Sequence, residues 1–387
     1  MVARFYGAEG VGVFTLSFTF LMILSVLGRF GLDIFLLRMV SDKAKKLQWE
    51  WIDDVYKKAL IVSVSICLIL IIAFYFLIPV LSLQVLNKPH FSVYLYITAW
   101  AIIPVVLFYI NSECLRAIGY PVYYSFIQNA SLLLFASLFL LVPLNQGDPQ
   151  HILWSIVGAS LVTFLLSHFF WKTKQKERKK SNPKSTLINQ KVSGYREIIN
   201  ISLPLMFVAS LTFLMTWTDV LMIGAYLTED EVGKYSATLR LSYAIGFVLY
   251  AVNSVVSPKI ASSHGSGDME EFRRLSKLTS KLGLIFGLLV YFVVLVSGKW
   301  VLGLLGNEFT GLWVILFLLS TGQLLNSMCG SVGYILSMSG HQKALSLIIF
   351  SSALLNILLN YQLIPAYGIY GAAIATMVST LVWNFMS

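Results

Sequence analysis

Charge is scarce in this chain. Asp, Glu, Lys and Arg make up 12% of its 387 residues, about half of what a soluble globular domain carries. Cysteine is scarcer still: Cys67, Cys114 and Cys329 lie in or beside apolar runs, with no CxxC or ligand spacing. That excludes a disulfide framework and gives no zinc site. The five histidines, His90, His151, His168, His264 and His341, are scattered, and no metal site or proton relay follows from them. Long polar segments are missing too, apart from one at 172–189. Without a sizeable extramembrane domain there is nowhere to place separate catalytic chemistry, so the expectation is a non-enzyme with no catalytic residues, cofactor or metal. The first ten residues are polar and Gly-containing and lack the pattern of a cleavable signal.

What fills the chain is apolar. Hydrophobic residues make up 57% of it, and runs long enough to cross a bilayer recur from end to end. Eleven spans are expected, at 14–38, 59–81, 94–113, 122–142, 152–171, 199–226, 236–256, 284–302, 312–338, 344–364 and 369–386. The fold class is therefore all-α, a polytopic integral membrane protein of the cell membrane. The net charge of +10 does not point to nucleic acid, because 22 of the 28 basic residues fall in alternate loops, at 38–58, 116, 172–196, 259–281 and 343. Those loops are cytoplasmic by the positive-inside rule. Only Arg29 and Arg240 remain within spans.

The chain also repeats itself. Residues 7–38 match 228–259 at a constant offset of 221, pairing Val11, Gly12 and Phe14 with Val232, Gly233 and Tyr235. Leu115 and Gly119 match Leu336 and Gly340 at the same offset, and Val80 and Leu81 match Val301 and Leu302. The offset covers an even number of spans, so the copies are parallel repeats. An N-terminal lobe at 1–172, a basic cytoplasmic linker at 173–194 and a C-terminal lobe at 195–387 are expected. The span at 199–226 has no upstream partner, and the expectation is a first helix missing from a plan of two sixes. Residues 41–60 read as an interfacial helix anchored by Trp49 and Trp51.

Residues 218–241 (TDVLMIGAYLTEDEVGKYSATLRL), 336–379 and 7–41 resemble the polysaccharide-biosynthesis flippases of the multidrug/oligosaccharidyl-lipid/polysaccharide exporter superfamily. The most specific signal is the second stretch, with Asn356, Asn360 and the Pro-x-Tyr-Gly turn that opens into Gly-Ala-Ala-Ile-Ala. The resemblance implies a two-lobed, V-shaped transporter that moves a lipid-linked oligosaccharide across the cytoplasmic membrane by alternating access. Its partners would be that substrate, membrane lipids and a coupling ion, proton or sodium. A cation-coupled drug exporter of the same superfamily, or a polytopic polysaccharide polymerase or ligase, are the alternatives.

A pyrophosphate-linked sugar needs a wet, cationic route, since a charge in the membrane centre costs roughly 2.5 to 3.5 kcal/mol even on lenient scales. Ser25, Arg29 and Asp33 recur every fourth residue, and Arg29 is the first candidate for the pyrophosphate because its fork of donors matches phosphate oxygens. An Arg29–Asp33 pair that only neutralises itself is the other reading. Arg240, Tyr243 and Tyr250 form a second stripe suited to phosphate and sugar rings, with Asn326 as a neutral partner; helix packing explains the tyrosines equally well. Glu113 and Arg116 are read as a gate or a snorkelled structural pair. Pro104 is a candidate bending point. Asp219 and Arg240 each lie eight residues from the turn at 227–232. Their equal depth predicts an ion pair, with Asp219 as the coupling carboxylate.

Overall fold

The computed structural model describes the chain except residues 143–146, 182–193 and 339–340; the described residues are helical throughout, with no strand. The helices are α1 (Val2–Arg29), α2 (Leu32–Lys45), α3 (Trp49–Val80), α4 (Phe91–Ala99), α5 (Ile102–Ala117), α6 (Pro121–Phe126), α7 (Leu132–Leu140), α8 (Gln150–Ser181), α9 (Tyr195–Tyr226), α10 (Glu229–Ser266), α11 (Met269–Leu305), α12 (Trp313–Cys329), α13 (Val332–Met338), α14 (Gln342–Tyr367) and α15 (Ile369–Met386).

Among the described residues, eight helices are long and apolar enough to cross a membrane, and nine when α4 and α5 count as one bent span. Helices α9 and α10 occupy the other two expected positions. The 46° bend between α4 and α5 falls just before Pro104. In the first turn of α5 the ring costs no hydrogen bond, because a helix start has unpaired N–H groups anyway.

The first span differs from its expected bounds. The polar opening residues are already helical, and α1 ends at Arg29, where Phe30 (φ 51°) and Gly31 (φ 72°) both take the left-handed conformation before α2 begins. Gly31 is required twice over. Its φ disfavours a side chain, and a Cβ there would lie 2.4 Å from the Ser202 carbonyl oxygen of α9. Near its start α1 is interrupted at Gly7 (φ 65°, ψ −166°), and the freed N–H of Ala8 donates to Glu308 Oε1 at 2.6 Å. The repeat-equivalent of Gly7 is Thr228, just ahead of α10, whose Oγ1 accepts from the Glu231 N–H at 3.4 Å. Both copies thus cap the same helix start, one with its own side chain and one with a carboxylate from elsewhere in the chain. The expected interfacial helix at 41–60 is also corrected: α3 starts at Trp49 and runs unbroken into its apolar part, with Trp49 and Trp51 buried.

Two compact units form, and their borders fall inside helices. The first comprises Met1 and Ser17–Phe213, the second Val2–Leu16 and Leu214–Ser387. This differs from a division at 173–194: the start of α1 goes with the second unit and the start of α9 with the first. Residues 182–193 of the expected linker, and Gly340 of the repeat, lie outside the described residues.

Each unit has the same order of neighbours. In the first, α3 packs on α2 and on α4 and α5, α5 packs on α2 and α8, and α7 packs on α8. In the second, α11 packs on α10 and α12, α12 packs on α10 and α15, and α14 packs on α15. The offset of 221 carries each of the first set onto the second. Helices α3 and α11 present large apolar side chains outward, such as Phe76 and Val296, as lipid-facing helices do.

Candidate functional site

Two polar centres stand inside the apolar helices of the first unit. The break at 30–31 puts Arg29 in the last turn of α1 and Asp33 in the first turn of α2. A cation at a helix C-terminus and an anion at an N-terminus are each favoured by the helix dipole, which gives two ionised groups a reason to persist at this depth. Arg29 Nη1 lies 2.9 Å from Asp33 Oδ2, with side-chain exposures of 15% and 11%. Its Nε donates to the Ser25 carbonyl at 3.3 Å, and its guanidinium stacks 4.3 Å from the Tyr109 ring centroid. The self-neutralising pair is therefore formed, but on two short helix ends instead of one continuous face.

One turn along α5 from Tyr109 is Glu113. Its Oε1 accepts from Gln128 Nε2 at 3.1 Å, and the same amide donates to Ser112 Oγ at 2.9 Å. Arg116 reaches Glu113 Oε2 at 3.5 Å while its guanidinium lies 4.8 Å from the Tyr124 ring. Glu113 is largely enclosed and Arg116 is half exposed, so the two expected gate residues do meet at the end of α5.

In the second unit, Asp219 on α9 is buried, and the expected partner is not beside it. Asp219 Oδ1 accepts from Asn360 Nδ2 at 2.6 Å; Oδ2 accepts from the Tyr235 hydroxyl at 2.9 Å and lies 2.5 Å from Thr376 Oγ1. Thr376 has one proton, shared in choice between Asp219 and the Ala372 carbonyl at 2.9 Å. Asn360 Nδ2 also donates to Asn356 Oδ1 at 3.0 Å, and Asn360 Oδ1 is buried without a hydrogen-bond partner. The Asp219–Arg240 ion pair is thus a misreading. Equal depth on neighbouring helices fixed the height of the two side chains but not their direction around each helix. Arg240 sits 5.4 Å from the Phe14 ring, and no carboxylate lies within ion-pair distance of it among the described residues.

Near Arg240 on α10, Tyr243, Phe247 and Tyr250 line an open cavity of about 380 Å³ with Asn253, Gln323 and Asn326. Asn326 Oδ1 accepts from Asn384 Nδ2 at 3.1 Å, which holds the amide in place. Three residues expected to contact substrate, Tyr243, Tyr250 and Asn326, therefore do share one cavity, lined by ring faces and amides. Sequence reasoning missed Tyr235 and Thr376. The only signal available was the need of a buried carboxylate for donors on neighbouring helices.

Helix breaks, buried charges and a repeated order of neighbours define a multi-pass membrane protein with a transporter fold. Its family model, described as polysaccharide biosynthesis protein, matches residues 1–264, and the chain belongs to that family. A second model, MatE, matches residues 204–362. The chain is 26% identical over 168 residues to a probable low-salt glycan biosynthesis flippase of Haloferax volcanii, covering 43% of this chain and 36% of that one. It is 27% identical over 205 residues to a capsular polysaccharide biosynthesis protein of Staphylococcus aureus, covering 50% of this chain and 49% of that one. The chain thus spans half or less of the length of these curated relatives. Among solved structures, an inward-facing multidrug resistance MATE family transporter superposes with a TM-score of 0.74 at 13% identity, covering 98% of this chain and 91% of the other. The lipid II flippase MurJ, in an inward closed conformation, gives 0.70 at 14% identity, covering 100% and 85%. The fold is that of these transporters.

Proposed function

We propose that the protein is a flippase that carries a lipid-linked oligosaccharide across the cell membrane for polysaccharide biosynthesis. The observation that carries this reading is Arg240: a guanidinium on α10, without a carboxylate in reach among the described residues, one turn from the Tyr243 that lines a cavity of aromatic faces and amides. A cation left without a counter-ion inside a span is costly unless an anion visits it. Ring faces and amides next to it suit the apolar faces and hydroxyl rims of sugars. Arg240 then takes the phosphate and Tyr243, Tyr250 and Asn326 the adjoining sugar. Arg29, held by Asp33 and Tyr109, supplies a second phosphate contact in the first unit, and Glu113 with Arg116 acts as its gate.

Asp219 takes the coupling role. Its oxygens, the Asn356 and Asn360 carbonyls, Thr376 Oγ1 and the Ala372 carbonyl make a compact set of hard oxygen donors, and Asn360 Oδ1 has capacity to spare. Such a set suits a proton on the carboxylate or a small cation such as sodium. The protein performs no bond chemistry in this reading, so no residue is given a catalytic role. The test is flipping of a fluorescent polyprenyl-diphosphate oligosaccharide in proteoliposomes. Arg240→Ala should reduce translocation at least tenfold while Arg240→Lys retains part of it; full activity of Arg240→Ala would overturn the assignment.

A further inference from the structure

Lys174 and Arg178 lie one turn apart near the end of α8 and converge on a single ring. Lys174 Nζ and Arg178 Cζ are each 5.2 Å from the Tyr120 centroid, and Lys174 is also 5.4 Å from that of Tyr123. Tyr120 immediately precedes α6, and Arg116 stacks on Tyr124 of the same short helix. Like charges four residues apart on a helix repel. Glu177 relieves part of this by accepting from Lys174 at 2.8 Å. Arg178 has no carboxylate within ion-pair distance among the described residues, and its Nη2 projects toward Gly119, where a Cβ would stand 3.1 Å away. Residues 172–180 hold six Lys or Arg and one acid.

The neighbouring surface is of the opposite kind. Val122 on α6 is 77% exposed beside Tyr123, whose ring meets Phe170 at 4.8 Å. The exposed Val122, next to the rings that hold Lys174 and Arg178, offers an amphiphile an apolar contact beside its phosphate. The positive-inside rule puts this end on the cytoplasmic side.

We propose that Lys174 and Arg178, held on the Tyr120 ring, bind the phosphate headgroup of an anionic phospholipid of the cytoplasmic leaflet. The ring faces fix both long side chains in advance, so less freedom is lost on binding than for lysines in open solvent. The exposed Val122 beside the rings, at the end of a helix long and apolar enough to span the membrane, selects a membrane lipid over a free phosphate. The site does not depend on the transport reading, since it uses none of the residues assigned to the substrate or the coupling ion.

Native mass spectrometry of the purified full chain tests it, with phosphatidylglycerol and phosphatidylcholine as probes. The chain should retain phosphatidylglycerol with about tenfold preference or more, the scale expected for two basic residues at a membrane surface. The Lys174→Ala, Arg178→Ala double variant should fall to within about twofold of no preference. Lys299→Ala, an exposed lysine on the other face, should behave as the unaltered chain, and Tyr120→Leu should lose preference while Tyr120→Phe keeps it. Absence of any preference in the unaltered chain would overturn the proposal, as would an undiminished preference in the double variant. Displacement of the lipid by millimolar inorganic phosphate as effectively as by added phosphatidylglycerol would overturn the choice of a lipid.

Discussion

Gly12 of α1 and Gly233 of α10 are repeat-equivalent, and they stand against each other. A Cβ on Gly12 would lie 1.7 Å from the Glu229 carbonyl oxygen, and one on Gly233 would lie 1.8 Å from that of Ala8. Ala8 and Glu229 are separated by the same 221 residues, so the two approaches mirror each other. The helices touch backbone to backbone here, as small residues allow in membranes.

Gly12→Ala and Gly233→Ala should each force that crossing apart and destabilise the second unit by about 1 to 3 kcal/mol, the usual cost of overpacking. Thermal unfolding of the purified protein reads it. Gly303→Ala, whose added Cβ would meet nothing nearer than 3.6 Å, should leave the midpoint unchanged. Equal midpoints for all three variants would show that the crossing is looser than described.

Asp219→Asn preserves the shape of the side chain and removes its charge. Transport in proteoliposomes should fall and its dependence on a sodium or proton gradient should disappear together. Tyr235→Phe deletes one donor to the Asp219 carboxyl group, a bond worth about 0.5 to 3 kcal/mol, and should weaken the protein by an amount within that range. Gradient-dependent transport by Asp219→Asn at normal rates would remove the coupling role.

Arg29→Lys keeps a positive charge near Asp33 but loses both the planar fork and the stacking on Tyr109, 4.3 Å away. Translocation should drop by about tenfold or more while insertion and folding hold, since a lysine does not replace a forked, stacked guanidinium. Wild-type rates in Arg29→Lys would leave the Arg29–Asp33 pair with a purely structural role.

Tyr250→Ala and Asn326→Ala should raise the substrate concentration needed for half-maximal transport by roughly tenfold each, the loss of one stacking or hydrogen-bonding contact. The maximal rate should change less. A change confined to the maximal rate would argue that these side chains act on the conformational step.

Every expected span has its helix because a bilayer imposes length and hydrophobicity together, and both are written in composition. The repeat was legible because Gly12 and Gly233 carry a packing constraint that admits no larger residue. Helix breaks were harder. The stop at 30–31 depends on Gly31 meeting Ser202, a contact 171 residues away that no local pattern announces. Asp219 and Arg240 show the same limit: spacing from a turn gives depth, whereas azimuth depends on which neighbours fill the space around each helix. The cavity side chains came out together because Tyr243, Phe247 and Tyr250 follow helical spacing on one element.

The shell around Asp219 also has an electrical side. Tyr235, Asn360 and Thr376 are all neutral, so the carboxylate, when ionised, brings a full negative charge into the membrane field. In the proposed coupling role, one proton or one monovalent cation taken up at Asp219 cancels that charge. Empty and filled proteins then differ by one elementary charge, and moving one such charge across a full 100 mV is worth about 2.3 kcal/mol. Membrane voltage, apart from any difference in ion concentration, would thereby set which of the two forms prevails at each face.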